Sequence, residues 1–315
     1  MNQGELIATR DAYGRALAGL GGELQDVVVL DADLSSTTRT ATFAASYPER
    51  FFNVGVAEQN LLGIAAGLAA SGKTVFCSTF AVFASGRAFD QLRNTIAYPG
   101  LNVKVCASHA GLTVGEDGAS HQSVEDIALM RAVPNLTVLV PADAVETAQM
   151  VRAAAAAPGP VYIRLGRAPV PVIHGPDYRW APGKLSTLRS GKDVTIAACG
   201  VMVARALQAA DLLAGEGIEA TVLNVSSLKP LDTGALAAAA GATGCVVTVE
   251  EHSVLGGLGG AVCEALAEAK PVPVVRVGIQ DRFGQSGQAA ELLEAYGLGV
   301  SDIVAACRLA KARTT

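Results

Sequence analysis

The sequence predicts an α/β protein built from two parallel-sheet domains. Short, continuously apolar strand segments alternate with amphipathic helical stretches along the whole chain. These strands lack polar alternation, as expected when helices cover both faces of a parallel sheet. A stretch at 166–183, GRAPVPVIHGPDYRWAPG, carries four prolines and splits the alternation into two runs. A chain of 315 residues suits two cores of ordinary size.

In chain order, residues 5–20 read as a helix and VVVLD (27–31) as a strand. RFFNV (50–54) is a second strand, and the run from Glu58 to Gly72 a second helix. TVFCS (74–78) leads into a helix over 84–97. NVKVCA (102–107), LTVLV (136–140) and VYIRL (161–165) complete the strands of a first domain, 1–168. A linker at 169–190 follows, and then a second domain at 191–315. Its strands are DVTIAAC (193–199), ATVLNV (220–225), CVVTVE (245–250) and PVVRV (273–277), with helices between them and a last helix ending near Ala312. VLGGLGGAV (254–262) follows a strand and precedes a helix, but lacks the third glycine of a dinucleotide fingerprint. It reads as a tight turn.

The net charge is −5 and the basic residues are scattered, which argues against nucleic acid as a partner. No apolar run reaches the roughly 20 residues of a spanning helix, so no membrane partner is expected. The start, MNQGELIATRDAYG, lacks the basic-then-apolar order of a signal peptide, which makes the cytoplasm the expected location. The six cysteines are far apart, form no CxxC pair and mostly sit in apolar runs, as reduced core residues do.

Ligands of an open parallel sheet sit beyond the carboxyl ends of its strands. Asp33 follows the first strand and Glu58 the second. Phe80 and Phe83 follow the third, His109, Asp117 and His121 the fourth, and Arg167 the last. Glu58 is a single carboxylate opening a long small and apolar helix, NVGVAEQNLLGIAAGLAASG (53–72). A helix-dipole role would account for it as well as a chemical one. SHAGLTVGEDGASHQ (108–122) is the most specific stretch, and its glycines at 111, 115 and 118 let backbone approach a ligand. Its histidines and aspartate could suggest a metal, but no third and fourth ligand is spaced to complete a zinc site.

V-G-E-D-G-x-x-H-Q (114–122), with V-A-E-Q (56–59) and S-T-F (78–80), resembles the transketolase family of thiamine diphosphate enzymes. V-A-E-Q-N and R-A-F-D-Q (87–91) are similar to the related 1-deoxyxylulose-5-phosphate synthases. E-E-H-S (250–253) and F-G-Q-S-G (283–287) extend the resemblance over nearly the whole chain. It implies a pyrimidine-binding domain followed by a transketolase C-terminal domain. The matching glutamate of the family hydrogen-bonds a ring nitrogen of the cofactor's aminopyrimidine and promotes the tautomer that removes the thiazolium C2 proton, which gives Glu58 a catalytic role. Phe83 matches the ring that stacks on the aminopyrimidine, Phe80 a pocket wall, and Asp33 a cofactor-contacting aspartate. His109 and His121 match substrate-facing histidines, and Asp117 an aspartate that recognises a sugar hydroxyl. Arg10, Thr37 and Arg167 match groups that hold the substrate phosphate, a task suited to forked guanidinium donors.

Gly86 stands where transketolases usually place another aromatic, and Ala57-Glu58-Gln59 where they usually have Arg-Glu-His. The G-D-G and later asparagines that bind the diphosphate through Mg²⁺ do not occur in these 315 residues. The resemblance therefore implies a split enzyme. A separate N-terminal transketolase-type subunit would supply the diphosphate domain and the Mg²⁺ ligands, in an α2β2 assembly acting on a sugar phosphate. The alternatives are a 1-deoxyxylulose-5-phosphate-synthase-like half, a 2-oxo acid dehydrogenase E1 β-like subunit, and a non-catalytic scaffold.

Overall fold

The computed structural model describes residues 5–314. Its first half contributes six strands to a seven-stranded sheet, whose edge strand 227–229 comes from the second half, in the spatial order 227–229, 137–139, 161–164, 103–108, 74–80, 27–31, 51–53. All pairings are parallel except the first, where Ser227–Lys229 runs antiparallel to Thr137–Leu139. The register aligns Asp31 with Asn53 and Ser78, and Phe80 with Ser108. The polar strand-end residues thus emerge along one rim.

The second half holds a five-stranded sheet in the order 274–279, 246–253, 194–198, 220–224, 186–189, parallel except for the last strand. Its central strands, Val194–Ala198 and Ala220–Asn224, are wholly buried. The α/β expectation of two parallel-sheet units therefore holds.

Several element expectations need correction. The expected helix at 5–20 is instead a strand, Leu6–Ala8, followed by a helix, Thr9–Glu23. The strand forms because Leu6–Ala8 pairs antiparallel with Pro169–Pro171, a partner far along the chain. The expected strand at 50–54 is shortened to Phe51–Asn53, because Pro48–Arg50 closes a 3₁₀ turn first. The expected helix at 84–97 is wound as two wider π-helical segments, Phe83–Arg87 and Gln91–Ala97.

The proline-rich connection is tied to its surroundings. The Ile173 and His174 amides donate to Asp143 Oδ2, each at 2.8 Å, and the Tyr178 hydroxyl donates to Glu146 at 2.7 Å. Glu146 also accepts from Asn224 of the second sheet at 2.9 Å. Apolar packing is continuous between the halves as well, with Leu112, Val124 and Ala142 buried in the same cluster as Ile196, Val247 and Ile303. This continuity lets residues of one half brace loops of the other.

At 254–262 the strand Val246–Ser253 turns into the helix Leu258–Ala269. The buried Glu250 carboxylate accepts from the Leu258 and Gly259 amides at 2.6 and 2.7 Å, so the chain caps this helix start itself. Of the cysteines, all six are free thiols, five of them buried. No helix among the described residues is long and apolar enough to cross a membrane.

Candidate active site

The rim begins at the end of the strand Val27–Asp31. The buried Asp31 carboxylate accepts from Thr38 Oγ1 at 2.7 Å and Thr40 Oγ1 at 2.9 Å, which shapes the loop that carries Thr37. Burial pushes the Asp31 carboxyl up, and these hydrogen bonds oppose the shift. Asp33, the residue expected at the cofactor, is exposed at φ 64° and accepts from Asn53 Nδ2 at 2.8 Å. The sequence expectation names Asp33 alone, whereas Asp31 is the acid that the structure buries at this strand end. The two acids are two residues apart, so strand alternation places them on the same side and offers no sequence signal that separates them.

Arg10, Thr37 and His109 meet here. Arg10 Nη1 donates to the Thr37 carbonyl and to His109 Nε2, each at 3.1 Å. Arg10 cannot accept a proton, so the His109 proton belongs on Nδ1, 2.9 Å from Ser108 Oγ. The His109 ring stacks on Phe80 with centroids 3.9 Å apart. Burial first, and then the charges of Arg10 and Arg167, bring the His109 pKa down to about 3. His109 is therefore a neutral hydrogen-bonding group at physiological pH. Arg10 is itself held below its ordinary value, first by burial and then by Arg39, with Arg167 contributing.

This depression has a consequence for stability. An unfolded histidine titrates near 6.5, so as pH falls from there toward 3 the unfolded chain takes up a proton that the folded one refuses. Stability is then lost in that window, by roughly 2 kcal/mol between pH 7 and pH 5. Urea denaturation of His109→Gln is expected to show a correspondingly shallower fall. An unchanged slope would remove His109 from this role.

Arg167 lies beside Asp117, with Nη1 3.3 Å from Asp117 Oδ2, and also donates to the Val114 carbonyl. Arg10 and Arg167 line one cavity of about 360 Å³ together with Thr113, Gly115, Glu116 and Gln288. Two guanidinium groups in one cavity suit an anion.

The loop between His109 and Gln122 is held from the second half of the chain. Glu251 accepts from the Thr113 amide at 2.5 Å, and Gln122 Nε2 donates to the Gln285 carbonyl at 2.9 Å. Gly111 sits at φ 79°, and a Cβ there would come within 2.4 Å of the Glu251 carboxyl carbon. These contacts give E-E-H-S and F-G-Q-S-G a structural meaning. The two motifs brace the loop that carries Asp117 and His121.

His121 stands edge-on to Phe83 and Phe80, with centroids 5.5 and 6.1 Å away. Phe80 and Phe83 are near-parallel at 5.8 Å. The aromatic wall thus joins His109, Phe80, Phe83 and His121.

Glu58 opens the helix Glu58–Ala70, where an acid is favoured by the helix dipole. Its side chain is only 2% exposed, yet it faces a cavity of about 410 Å³ lined by Val56–Asn60 and Arg87. Arg87 Nη1 donates to Glu58 Oε2 at 2.9 Å, and the same guanidinium lies 4.5 Å over the Phe83 ring. Arg87 is not among the sequence-predicted residues. Its position four after Phe83 on a helical pattern is the available signal. Among the described residues no group of three or more His, Cys, Asp or Glu side chains gathers as a metal site.

Residues 5–172 match the transketolase pyrimidine-binding domain, and residues 183–303 match the transketolase C-terminal domain. The chain belongs to the transketolase family. It is 46% identical over 94% of its length to the 6-deoxy-6-sulfo-D-fructose transketolase subunit SqwH of Clostridium sp., covering 92% of that protein. It is 41% identical over 93% of its length to one of the subunits of the apulose-4-phosphate transketolase of Phocaeicola vulgatus, covering 94% of it. Human transketolase is also similar, but this transketolase-family chain spans only 49% of its length. A split-gene transketolase solved as an inactive β4 tetramer superposes with a TM-score of 0.92 at 57% identity, covering 98% of this chain and 100% of that one.

Proposed function

We propose that the chain is the C-terminal subunit of a split transketolase, moving a two-carbon ketol unit from a ketose phosphate to an aldose acceptor. Thiamine diphosphate would lie between this chain and a separate diphosphate-binding subunit, which would supply the Mg²⁺ ligands. The observation that carries this reading is the buried Glu58 carboxylate joined through the Arg87 guanidinium to the Phe83 ring, which lies near-parallel to Phe80. A carboxylate and an aromatic face that one planar group can reach together fit a ring that carries both a π surface and a hydrogen-bonding nitrogen. Relatives named as subunits support the split, since they match over more than nine-tenths of both chains.

Glu58 would hold the aminopyrimidine ring nitrogen, and Phe83 and Phe80 would fix the ring plane. When bound, thiamine diphosphate supplies the nucleophilic carbon and the electron sink for two-carbon transfer. Neutral His109 would hydrogen-bond a substrate oxygen without adding charge. His121 would face the same space from the Phe83 side of the same aromatic wall. Asp117 would orient a sugar hydroxyl, and Arg10 and Arg167 would hold the phosphate as forked donors, with Thr37 on the loop against Arg10. We place the α2β2 assembly in the cytoplasm, in keeping with the free thiols.

The test is calorimetry of thiamine diphosphate with Mg²⁺, on this chain alone and mixed with a diphosphate-domain subunit, followed by turnover of ketose phosphates. Binding only in the mixture, with ketol transfer, is the expected result. Tight binding to the chain alone would overturn the split site. Consumption of pyruvate in place of a ketose phosphate would point to the synthase-like alternative.

A further inference from the structure

We propose that Arg87 is an internal stand-in for the aminopyrimidine ring and thereby sets the affinity of the site for its cofactor. The inference rests on the function proposed above, and the geometry is particular. The Arg87 guanidinium makes both contacts that an aminopyrimidine would need from this chain. It donates to Glu58 Oε2 at 2.9 Å and lies over the Phe83 ring at 4.5 Å. A guanidinium is planar, delocalised and rich in N–H donors, so it reproduces the ring's stacking and hydrogen-bonding demands together. A lysine in its place could pair with the carboxylate but could not stack in the same way.

The surroundings make displacement feasible. Glu58 is 2% exposed, whereas the Arg87 side chain is 52% exposed, so the acid is fixed and its partner reaches in from solvent. Gly86 leaves the preceding position without a side chain, and a Cβ there would meet nothing within 4 Å. The half-exposed arginine thus has solvent into which it can swing. A buried carboxylate without a partner is costly, so Arg87 keeps Glu58 compensated until a second ring takes its place. The cofactor then binds only the fraction of molecules in which Arg87 has moved, and its apparent affinity falls by that fraction.

The experiment is a calorimetric titration of thiamine diphosphate with Mg²⁺ into the chain assembled with its diphosphate-binding subunit, for the natural protein, Arg87→Ala and Arg87→Lys. Arg87→Ala is expected to tighten the dissociation constant about tenfold, and Arg87→Lys less. Adding guanidinium chloride at a low, non-denaturing concentration should weaken binding to Arg87→Ala back toward the natural value, while leaving the natural protein little changed. A purely structural role for Arg87 would not produce that competition. An unchanged or weaker constant in Arg87→Ala, with the natural protein still binding, would overturn the stand-in and leave the proposed function intact. No binding by the natural protein or either variant would overturn the cofactor reading and the stand-in with it.

Discussion

Replacing Glu58 with Gln should lower turnover of the assembled enzyme by about three orders of magnitude, within the range a positioned proton-transfer group supplies. The substitution preserves shape, and a glutamine oxygen can still accept from Arg87. What it removes is the acid–base function proposed for Glu58 at the cofactor's ring nitrogen. The fold should tolerate the change, because the helix Glu58–Ala70 buries Leu61, Leu62, Ala65 and Ala66 independently of that carboxyl. Glu58→Ala should behave similarly, since the Arg87 it leaves behind is half exposed and finds water. The check is kcat with saturating cofactor, alongside the unfolding midpoint and the size of the assembly. Turnover within tenfold of the natural protein would remove Glu58 from the chemistry. A fall in activity that tracks a fall in stability would leave it a structural role only.

What can be read from the sequence follows the range of the interactions involved. The strands Val27–Asp31, Val103–Ser108 and Val194–Ala198 are legible because each is buried along its whole length and apolar almost throughout. Leu6–Ala8 and Ser227–Lys229 are not, because each owes its strand form to a partner far away in the chain. The helical pattern across 84–97 is visible, but its π winding is not, since segments of 5 and 7 residues are too short for the wider turn to show in the apolar spacing. At the site, side chains reaching from strand ends are found by position alone. Asp31 and Asp33 are easily confused because both flank one turn, and burial separates them only in three dimensions. Arg87 escapes notice because a surface arginine carries no burial signal until Glu58 and Phe83 are seen on either side of it.

The second large effect lies behind the loop, at Arg164. This side chain is 6% exposed, and its Nε lies 2.9 and 3.1 Å from the two oxygens of Asp126, which is wholly buried. Its Nη2 donates to the Glu251 carbonyl at 2.9 Å, and Tyr162 donates to Asp126 at 2.9 Å. Arg164→Met should cost about 3–5 kcal/mol, because Asp126 is then left buried with Tyr162 as its remaining side-chain donor. The cost should also depend on pH. Burial pushes the Glu250 and Glu251 carboxyls up, and Arg164 is among the charges that pull them back. Without Arg164 they rise further above their unfolded values. A carboxyl with a raised folded pKa contributes stability below its unfolded pKa and loses it as pH rises through the folded one. Urea denaturation should therefore show a larger penalty at pH 8 than at pH 5. Removing the second charge, as Arg164→Met with Asp126→Leu, should recover much of the loss, because an apolar pair leaves no buried charge uncompensated. A penalty under about 1 kcal/mol would mean that water reaches Asp126, and one equal at both pH values would mean that Arg164 does not hold down the Glu250 and Glu251 carboxyls. Glu251 also accepts from the Thr113 amide, so a stability loss here should loosen the His109–Gln122 loop and raise KM for the sugar phosphate more than it lowers kcat.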